Sequence, residues 1–277
     1  MLSRRVRSSL PTASLALVCV LATYSLPAWA ANSAGAMAVS DVRKAIADSD
    51  CKGAVSALNK GLAAHISEVQ LLAGTMYENG ICLKANWDRA AKLYTQAYNN
   101  GHEGAAYHLA AGFAAPENGP DVASALWWGS RANLRYGDCT PAGEAANDPD
   151  KFLAEVKTWS DARVGICTYE VGVIATIASE VRYMDPTGQW AMNGRVRVTF
   201  KPTVPRVDLT LDVKKHALNG EHNGDRPWEL SDKAAVSNFT QNLRTVADRA
   251  IKRYPKPNAI PADLPDATFE MRFGPEE

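Results

Sequence analysis

The sequence predicts a mainly α-helical fold, in which a short helical-repeat array of the α-solenoid type precedes a small α+β domain with a three-stranded antiparallel sheet and one long helix. Two observations predict it. Residues 68–101 and 103–133 contain one sequence unit written twice, and repeated units of this length are typical of stacked helical hairpins. In the C-terminal third, three short segments alternate apolar and polar residues on either side of one long amphipathic stretch.

The N-terminus has the composition of a secretory signal peptide, which we expect to span residues 1–30. Arginines precede an apolar run over residues 13–24, and small residues at Ala28 and Ala30 favour cleavage before Ala31. The run is short for a membrane-spanning helix, which needs about 20 apolar residues, although an uncleaved anchor stays open as an alternative. Cleavage predicts a periplasmic or secreted protein with no integral membrane segment.

The charge of the mature chain is close to neutral. The sequence has 30 basic and 30 acidic residues, and the predicted cleavage removes three arginines and no acid, which leaves 27 basic residues. Such a balance argues against nucleic acid as a partner and against a generally basic surface for membranes.

The cysteines predict two disulfide bonds. Of the five in the sequence, Cys19 lies in the predicted signal peptide, and an even number remains in a chain expected to be exported. The element order favours pairing Cys51 with Cys82 and Cys139 with Cys167, and each bridge is worth about 3 to 4 kcal/mol in the chain-entropy model. Free buried thiols are the alternative. A zinc site is disfavoured because no CxxC spacing occurs.

The first part of the mature chain predicts helices only. Residues 31–66 form two capping helices, one starting at Ser40-Asp41 and one covering residues 51–65. Residues 67–134 form two helical hairpins, since equivalent positions of the two copies carry small residues, aromatic residues and a helix-starting aspartate. The matched pairs are Ala73 with Leu109, Gly74 with Ala110, Tyr77 with Phe113, Asp88 with Asp121, Ala90 with Ala123, Leu93 with Leu126, and Tyr94 with Trp127.

The first copy carries a characteristic order of small and aromatic residues. These are Gly74, Tyr77, Gly80, Asp88, Tyr94, Ala97 and Gly101. With them the copy resembles the Sel-one-like repeat, a relative of the tetratricopeptide repeat. The second copy departs from the pattern at Gly119-Pro120 and at Gly129-Ser130. The resemblance implies a scaffold or adaptor that binds protein partners on a curved surface, and it brings no catalytic residues.

Residues 135–182 predict a helical connector that the second disulfide holds in place. Asp148-Pro149 begins a helix expected to continue through residue 164. Residues 166–181 are almost entirely apolar, so their periodicity allows either a helix or a helix preceded by a strand.

The C-terminal region, residues 183–277, predicts an α+β domain. Strands are expected at residues 194–200, 207–213 and 268–273, and a helix at residues 231–252. The motif residues are Gly194, Val196, Val198, Phe200, Ala250, Tyr254, Pro255, Pro257, Phe269 and Phe273. With these residues the region resembles the C-terminal domain of the TonB family, which implies the fold. Energy coupling would require an uncleaved N-terminal anchor, which the expected cleavage removes, and a long proline-rich spacer, which the sequence does not contain, so we do not expect that activity.

No catalytic signature stands out among the five histidines. His216 and His222 flank Glu221, which permits a metal site, although a solvated loop is the simpler interpretation. We expect His108 to be packed or partly exposed. We expect no cofactor and no metal.

The residues expected to contact a partner are Trp128, Tyr94 and Trp87. On a helix, neighbouring side chains point about 100° apart, so Trp127 can lie in the core while Trp128 faces outward. Packing of Trp128 against the Cys139–Cys167 segment is the alternative. The sequence therefore predicts a non-catalytic, exported scaffold or adaptor for a protein of the cell envelope. The alternative is a periplasmic or cell-wall hydrolase with an unrecognised site. A pocket that gathers His108 or His216 with carboxylates would favour the hydrolase, and a groove lined by Tyr and Trp would favour the scaffold.

Overall fold

The computed structural model describes residues 28–181, 192–215 and 228–273. Most of the predicted signal peptide, and the loop that carries His216, Glu221 and His222, lie outside the described residues. Side chains are described for residues 34–181, 194–212 and 236–271.

The described residues form nine α-helices and four strands. The helices are α1 (Ala28–Ala47), α2 (Cys51–Ala63), α3 (Ser67–Asn79), α4 (Trp87–Asn99), α5 (Ala105–Ala114), α6 (Val122–Arg131), α7 (Pro149–Val156), α8 (Asp161–Val181) and α9 (Trp228–Arg253). The strands are β1 (Arg135–Tyr136), β2 (Met192–Lys201), β3 (Arg206–Lys215) and β4 (Ala267–Phe273). The prediction of a mainly helical protein with a small antiparallel sheet is confirmed.

Local signals in the sequence define the ends of the hairpin helices. Gly80 ends α3 with a left-handed backbone, φ 67°, which glycine adopts without steric penalty. The side chain of Asn86 caps α4 by accepting a hydrogen bond from the backbone N–H of Arg89 at 2.9 Å. Asp121 caps α6 in the same way through Ser124. Helix α3 packs against α4, and α5 packs against α6, so each pair forms a helical hairpin.

Small residues allow aromatic rings to sit directly against neighbouring helices. A Cβ atom built on Gly74 would lie 2.4 Å from the ring of Tyr94, and one on Gly112 would lie 1.9 Å from the ring of Trp87. Both glycines are therefore required for the contact between α3, α4 and α5.

The connector differs from the prediction at its first helix. The helix that starts at Pro149 ends at Val156, and a short break precedes α8. The ambiguous apolar segment is helical throughout. Helix α8 is long and apolar enough to cross a membrane by length and composition, but 78% of its apolar window is buried inside the fold. That degree of burial is typical of a central core helix.

The sheet has four strands, where the sequence predicted three. Its order is β1-β4-β2-β3, and every neighbouring pair is antiparallel. Val198 on β2 lies between Leu209 on β3 and Phe269 on β4, so the predicted hairpin and its apolar face are present. The additional strand β1 pairs with Thr268 and Ala267. Two residues are too short to produce a detectable alternation, which is why the prediction missed it.

The apolar core consists of three clusters that follow one another along the chain. The first joins α1, α2 and α3 around Leu58 and Met76. The second joins α3, α4 and α5 around Tyr94 and Leu109. The third and largest joins α5 to α8 with the sheet and α9, so the second hairpin and the C-terminal unit share one core.

Candidate functional site

Two disulfides join the cysteines in the pairs that the sequence favours. Cys51 is bonded to Cys82 with a Cα–Cα distance of 5.0 Å, and Cys139 to Cys167 with one of 5.3 Å. The first bridge joins Cys51, an exposed residue at the start of α2, to Cys82 in the turn after α3. The second is buried, with Cys139 2% and Cys167 1% exposed. Two such bonds are compatible with an oxidising, extracytoplasmic environment.

Tyr94 is not available to a partner, which corrects the expectation drawn from the sequence. Its side chain is 0% exposed, and its ring stacks on that of His108 at a centroid distance of 4.8 Å. The Tyr94 hydroxyl donates a hydrogen bond of 2.6 Å to Glu78 Oε2. The repeat position predicts an aromatic residue here, but its neighbours on α3 and α5 enclose it completely.

Trp87 is partly buried and serves the packing of the two hairpins. Its ring meets Phe113 edge-on at 5.3 Å and lies over Gly112. Little of this ring is therefore available for a partner.

Trp127 and Trp128 are both partly buried, so the expected division into one core and one outward tryptophan is wrong. Trp127 packs edge-on against Phe152 of α7 at 5.4 Å, and Trp128 packs edge-on against Tyr98 of α4 at 5.2 Å. The adjacent tryptophans therefore fix α6 against a different helix on each side.

An arginine completes this surface. The guanidinium carbon of Arg131 lies 3.0 Å from the centroid of the Trp127 ring, and an Arg131 N–H donates to the Trp127 carbonyl at 3.2 Å. Burial lowers the pKa of Arg131, while the nearby Tyr98 opposes that shift. We call Tyr98, Trp127, Trp128 and Arg131 the aromatic patch. Trp, Tyr and Arg are the residue types that most often dominate protein–protein binding energy.

A polar cluster connects the hairpins to the C-terminal unit. His108 Nδ1 lies 3.9 Å from Glu78 Oε2. Burial raises the pKa of Glu78, and the hydrogen bond from Tyr94 partly offsets this effect. The Glu78 oxygen that lies nearest His108 already accepts a hydrogen bond from Tyr94, and His108 is only 7% exposed. The geometry of the His108–Glu78 pair therefore fits a packing role as well as it fits proton transfer.

Two arginines of α9, and the tyrosine that follows the helix, contact α8 and the second hairpin. Arg249 pairs with Glu180 of α8, and Arg253 pairs with Glu117, which precedes α6. The Tyr254 hydroxyl lies 2.9 Å from the hydroxyl of Thr176 and 3.2 Å from the carbonyl oxygen of Ala111. Tyr254 therefore contacts both α8 and α5.

A cleft of about 550 Å³ opens beside Tyr254. Its walls are the start of α6 at Val122, the first turns of α8, and the segment Pro255-Lys256-Pro257 that follows α9. We call it the junction cleft. His108 and Glu78 do not line it, so it is not the pocket that would favour a hydrolase.

Glu170, which the sequence did not single out, is a buried carboxyl with a strongly raised pKa. It is 0% exposed within α8. Burial raises its pKa to about 8, and the carboxylates of Asp138 and Asp266 add to the effect. The sequence signal that would have identified it is an acid in the middle of the apolar run of residues 166–181, whose other acid, Glu180, lies at the end of the run.

Comparison with known proteins gives no relative. No family model matches the chain, and neither curated proteins nor solved structures give a significant match.

Proposed function

We propose that this chain is an exported scaffold or adaptor, periplasmic or secreted, whose helical hairpins bind a protein partner of the cell envelope and catalyse no reaction. The observation that carries the proposal is the aromatic patch. It gathers two tryptophans, a tyrosine and an arginine from α4 and α6 at a partly exposed surface. We further propose that the hairpins are Sel-one-like repeats and that the C-terminal unit is a TonB-like domain that supports them.

The two disulfides support the export part of the proposal. They lie in separate parts of the fold, and one of them closes on an exposed cysteine, Cys51. Exposed disulfides persist in oxidising compartments and are reduced in the cytosol.

The rigidity of the patch supports the binding part. The rings of Tyr98 and Trp128 hold each other edge-on, and Arg131 is held over Trp127. Side chains that are already fixed lose less conformational freedom when a partner binds.

Affinity capture from the periplasm, followed by reconstitution with the purified candidate, tests the proposal. Trp128→Ala and Arg131→Ala should each weaken the reconstituted complex, Trp128→Ala by about thirtyfold or more if it is a hot spot. Arg89→Ala is the matched control, because Arg89 also covers an aromatic ring, that of Tyr77 at 4.6 Å, but outside the patch. Unchanged affinity in both patch variants, with normal thermal unfolding, would reject the patch as the binding surface.

The alternative is a periplasmic or cell-wall hydrolase. The observation in its favour is the proximity of His108 to the Glu78 carboxylate, whose pKa is raised by burial. Release of soluble fragments from purified cell wall, abolished in His108→Gln, would establish this function in place of the scaffold.

A further inference from the structure

The junction cleft has the size and the walls of a small-ligand site. Its volume of about 550 Å³ lies within the range of ligand-binding pockets, roughly 300–1,000 Å³. Pro120 and Val122 form one side, Val164 and Gly165 the floor on α8, and Pro255 and Pro257 the other side. The walls are therefore mainly apolar.

One buried hydroxyl in the cleft lining has no hydrogen-bond partner among the described residues. It belongs to Tyr169, whose side chain is 2% exposed. The other hydroxyls of the lining are used, because Thr168 donates to the Val164 carbonyl at 2.7 Å and Tyr254 is bonded to Thr176 and Ala111. Buried polar groups are normally hydrogen-bonded, so the Tyr169 hydroxyl has a hydrogen bond left to donate to an acceptor on a ligand.

The charge of the lining is positive. Lys256 is the charged residue among those that border the cleft. Its ammonium donates one long hydrogen bond, 3.4 Å, to the carbonyl oxygen of Thr203. An ammonium has three donors, so Lys256 retains capacity for an anionic group.

The same walls disfavour an extended peptide as the occupant. A peptide presents a backbone donor and acceptor at every residue, and each needs a partner when it is buried. The three prolines of the lining offer no backbone N–H, and the backbone of α8 is hydrogen-bonded within the helix. Apart from Lys256 and Asn258, the lining therefore offers few partners to a peptide backbone, and the cleft suits a molecule with a long apolar body and few polar atoms.

We propose that the junction cleft binds an apolar carboxylate, meaning an amphipathic molecule with a hydrocarbon chain and one carboxylate head. The head pairs with Lys256 and accepts the hydrogen bond of Tyr169, while the chain lies between the proline and valine walls. This site is separate from the aromatic patch, and it does not depend on the chain being a scaffold.

Calorimetric titration of the purified full-length exported protein, with both disulfides intact, tests this proposal. The probes are dodecanoate and dodecylammonium, each below its critical micelle concentration, and dodecanol below its solubility limit. Dodecanoate should bind most tightly. Dodecanol should bind about tenfold more weakly because it lacks the charge-assisted pair, and dodecylammonium more weakly still.

Three variants locate the binding. Gly165→Leu should abolish it, because a Cβ on Gly165 meets no atom within 4 Å and the leucine side chain would fill open space in the cleft. Lys256→Gln should weaken dodecanoate about tenfold while leaving dodecanol unchanged. Tyr169→Phe should weaken both probes, since the hydroxyl can donate to either head group.

Lys252→Gln is the matched control, because Lys252 is an exposed lysine on the last turn of α9 that does not border the cleft. It should bind dodecanoate as the unmodified chain does. Equal affinity for the three probes, or dodecanoate binding that survives Gly165→Leu in a folded protein, would overturn the proposal. Loss of partner capture with intact dodecanoate binding would reject the scaffold function alone.

Discussion

The Oε2 atom of Glu170 lies 3.2 Å from Cys139 Sγ, a sulfur of the buried disulfide. A disulfide sulfur carries no hydrogen, so the contact is a hydrogen bond only when the Glu170 carboxyl is protonated and donates to the sulfur. The raised pKa of Glu170, about 8, is consistent with a carboxyl that is neutral at physiological pH.

This carboxyl should make the stability of the protein depend on pH. The folded-state pKa of Glu170, about 8, lies above its usual value of 4.5, so the folded state binds more protons than the unfolded state between these values. The free energy of unfolding should therefore fall as the pH rises from about 4.5 to about 8, by at most about 5 kcal/mol from this group. Glu170→Gln, which stays neutral, should reduce that slope in urea titrations at several pH values. An unchanged slope would mean that Glu170 is ionised in the folded protein.

The two disulfides should differ in their resistance to reduction. Cys51 is exposed, whereas Cys139 and Cys167 are both buried, so a reductant reaches the first bridge without unfolding. Under native conditions dithiothreitol should open Cys51–Cys82 first, with the thiols identified by alkylation and peptide mass mapping. In denaturant the unreduced mature protein should contain no free thiol. Simultaneous opening of both bridges would show that the buried one is exposed by fluctuation.

Two glycines of α8 should respond in opposite ways to the same substitution. A Cβ on Gly172 would lie 2.4 Å from the ring of Tyr254, whereas a Cβ on Gly165 meets open space. Gly165→Ala should raise the free energy of unfolding by about 0.5–1 kcal/mol, because alanine favours the helix. Gly172→Ala should lower it by about 1–3 kcal/mol through overpacking. Thermal unfolding of the two variants measures the difference, and an equal gain would mean that Tyr254 moves aside freely.

The aspartates at equivalent repeat positions should contribute unequally. Asp121 caps α6, since its carboxylate accepts from the backbone N–H and the hydroxyl of Ser124 at 3.1 and 2.6 Å. Asp88 lies in the first turn of α4, where Asn86 already provides the cap. Asp121→Ala should cost about 1 kcal/mol of stability, and Asp88→Ala only a few tenths. Chemical denaturation of the two variants distinguishes them, and equal losses would contradict the assigned caps.

The parts of the fold that depend on local chemistry could be predicted from the sequence. The glycine after α3 and the polar residues before α4 and α6 define helix ends through their own backbone and side-chain preferences. The favoured cysteine pairs followed from the order of the elements. Such signals act within a few residues, so they can be recognised in the sequence without knowledge of the tertiary contacts.

The remaining parts depend on contacts between distant residues. Strand β1 exists because Arg135 and Tyr136 pair with β4, and a segment of two residues is too short to carry a sequence pattern that predicts a strand. Helix α8 was ambiguous because a helix buried on all sides has no polar face, so its period disappears.

The candidate site divides in the same way. The repeat pattern identified Tyr94 as an aromatic position and helix geometry singled out Trp128, but the exposure of both depends on which neighbours cover them. Tyr94 is enclosed by residues of α3 and α5, and Tyr98 of α4 covers part of Trp128. The spacing of residues along one helix cannot show which residues of other helices bury Tyr94 or Trp128.

Strand β1 also constrains the order in which the protein folds. Its partner residues, Ala267 and Thr268, follow both cysteines of the buried bridge in the sequence, so the Cys139–Cys167 bridge can close before they are synthesised. Until β4 is present, β1 has no strand to pair with. We therefore expect a chain truncated before residue 267 to leave the edge of β1 unpaired.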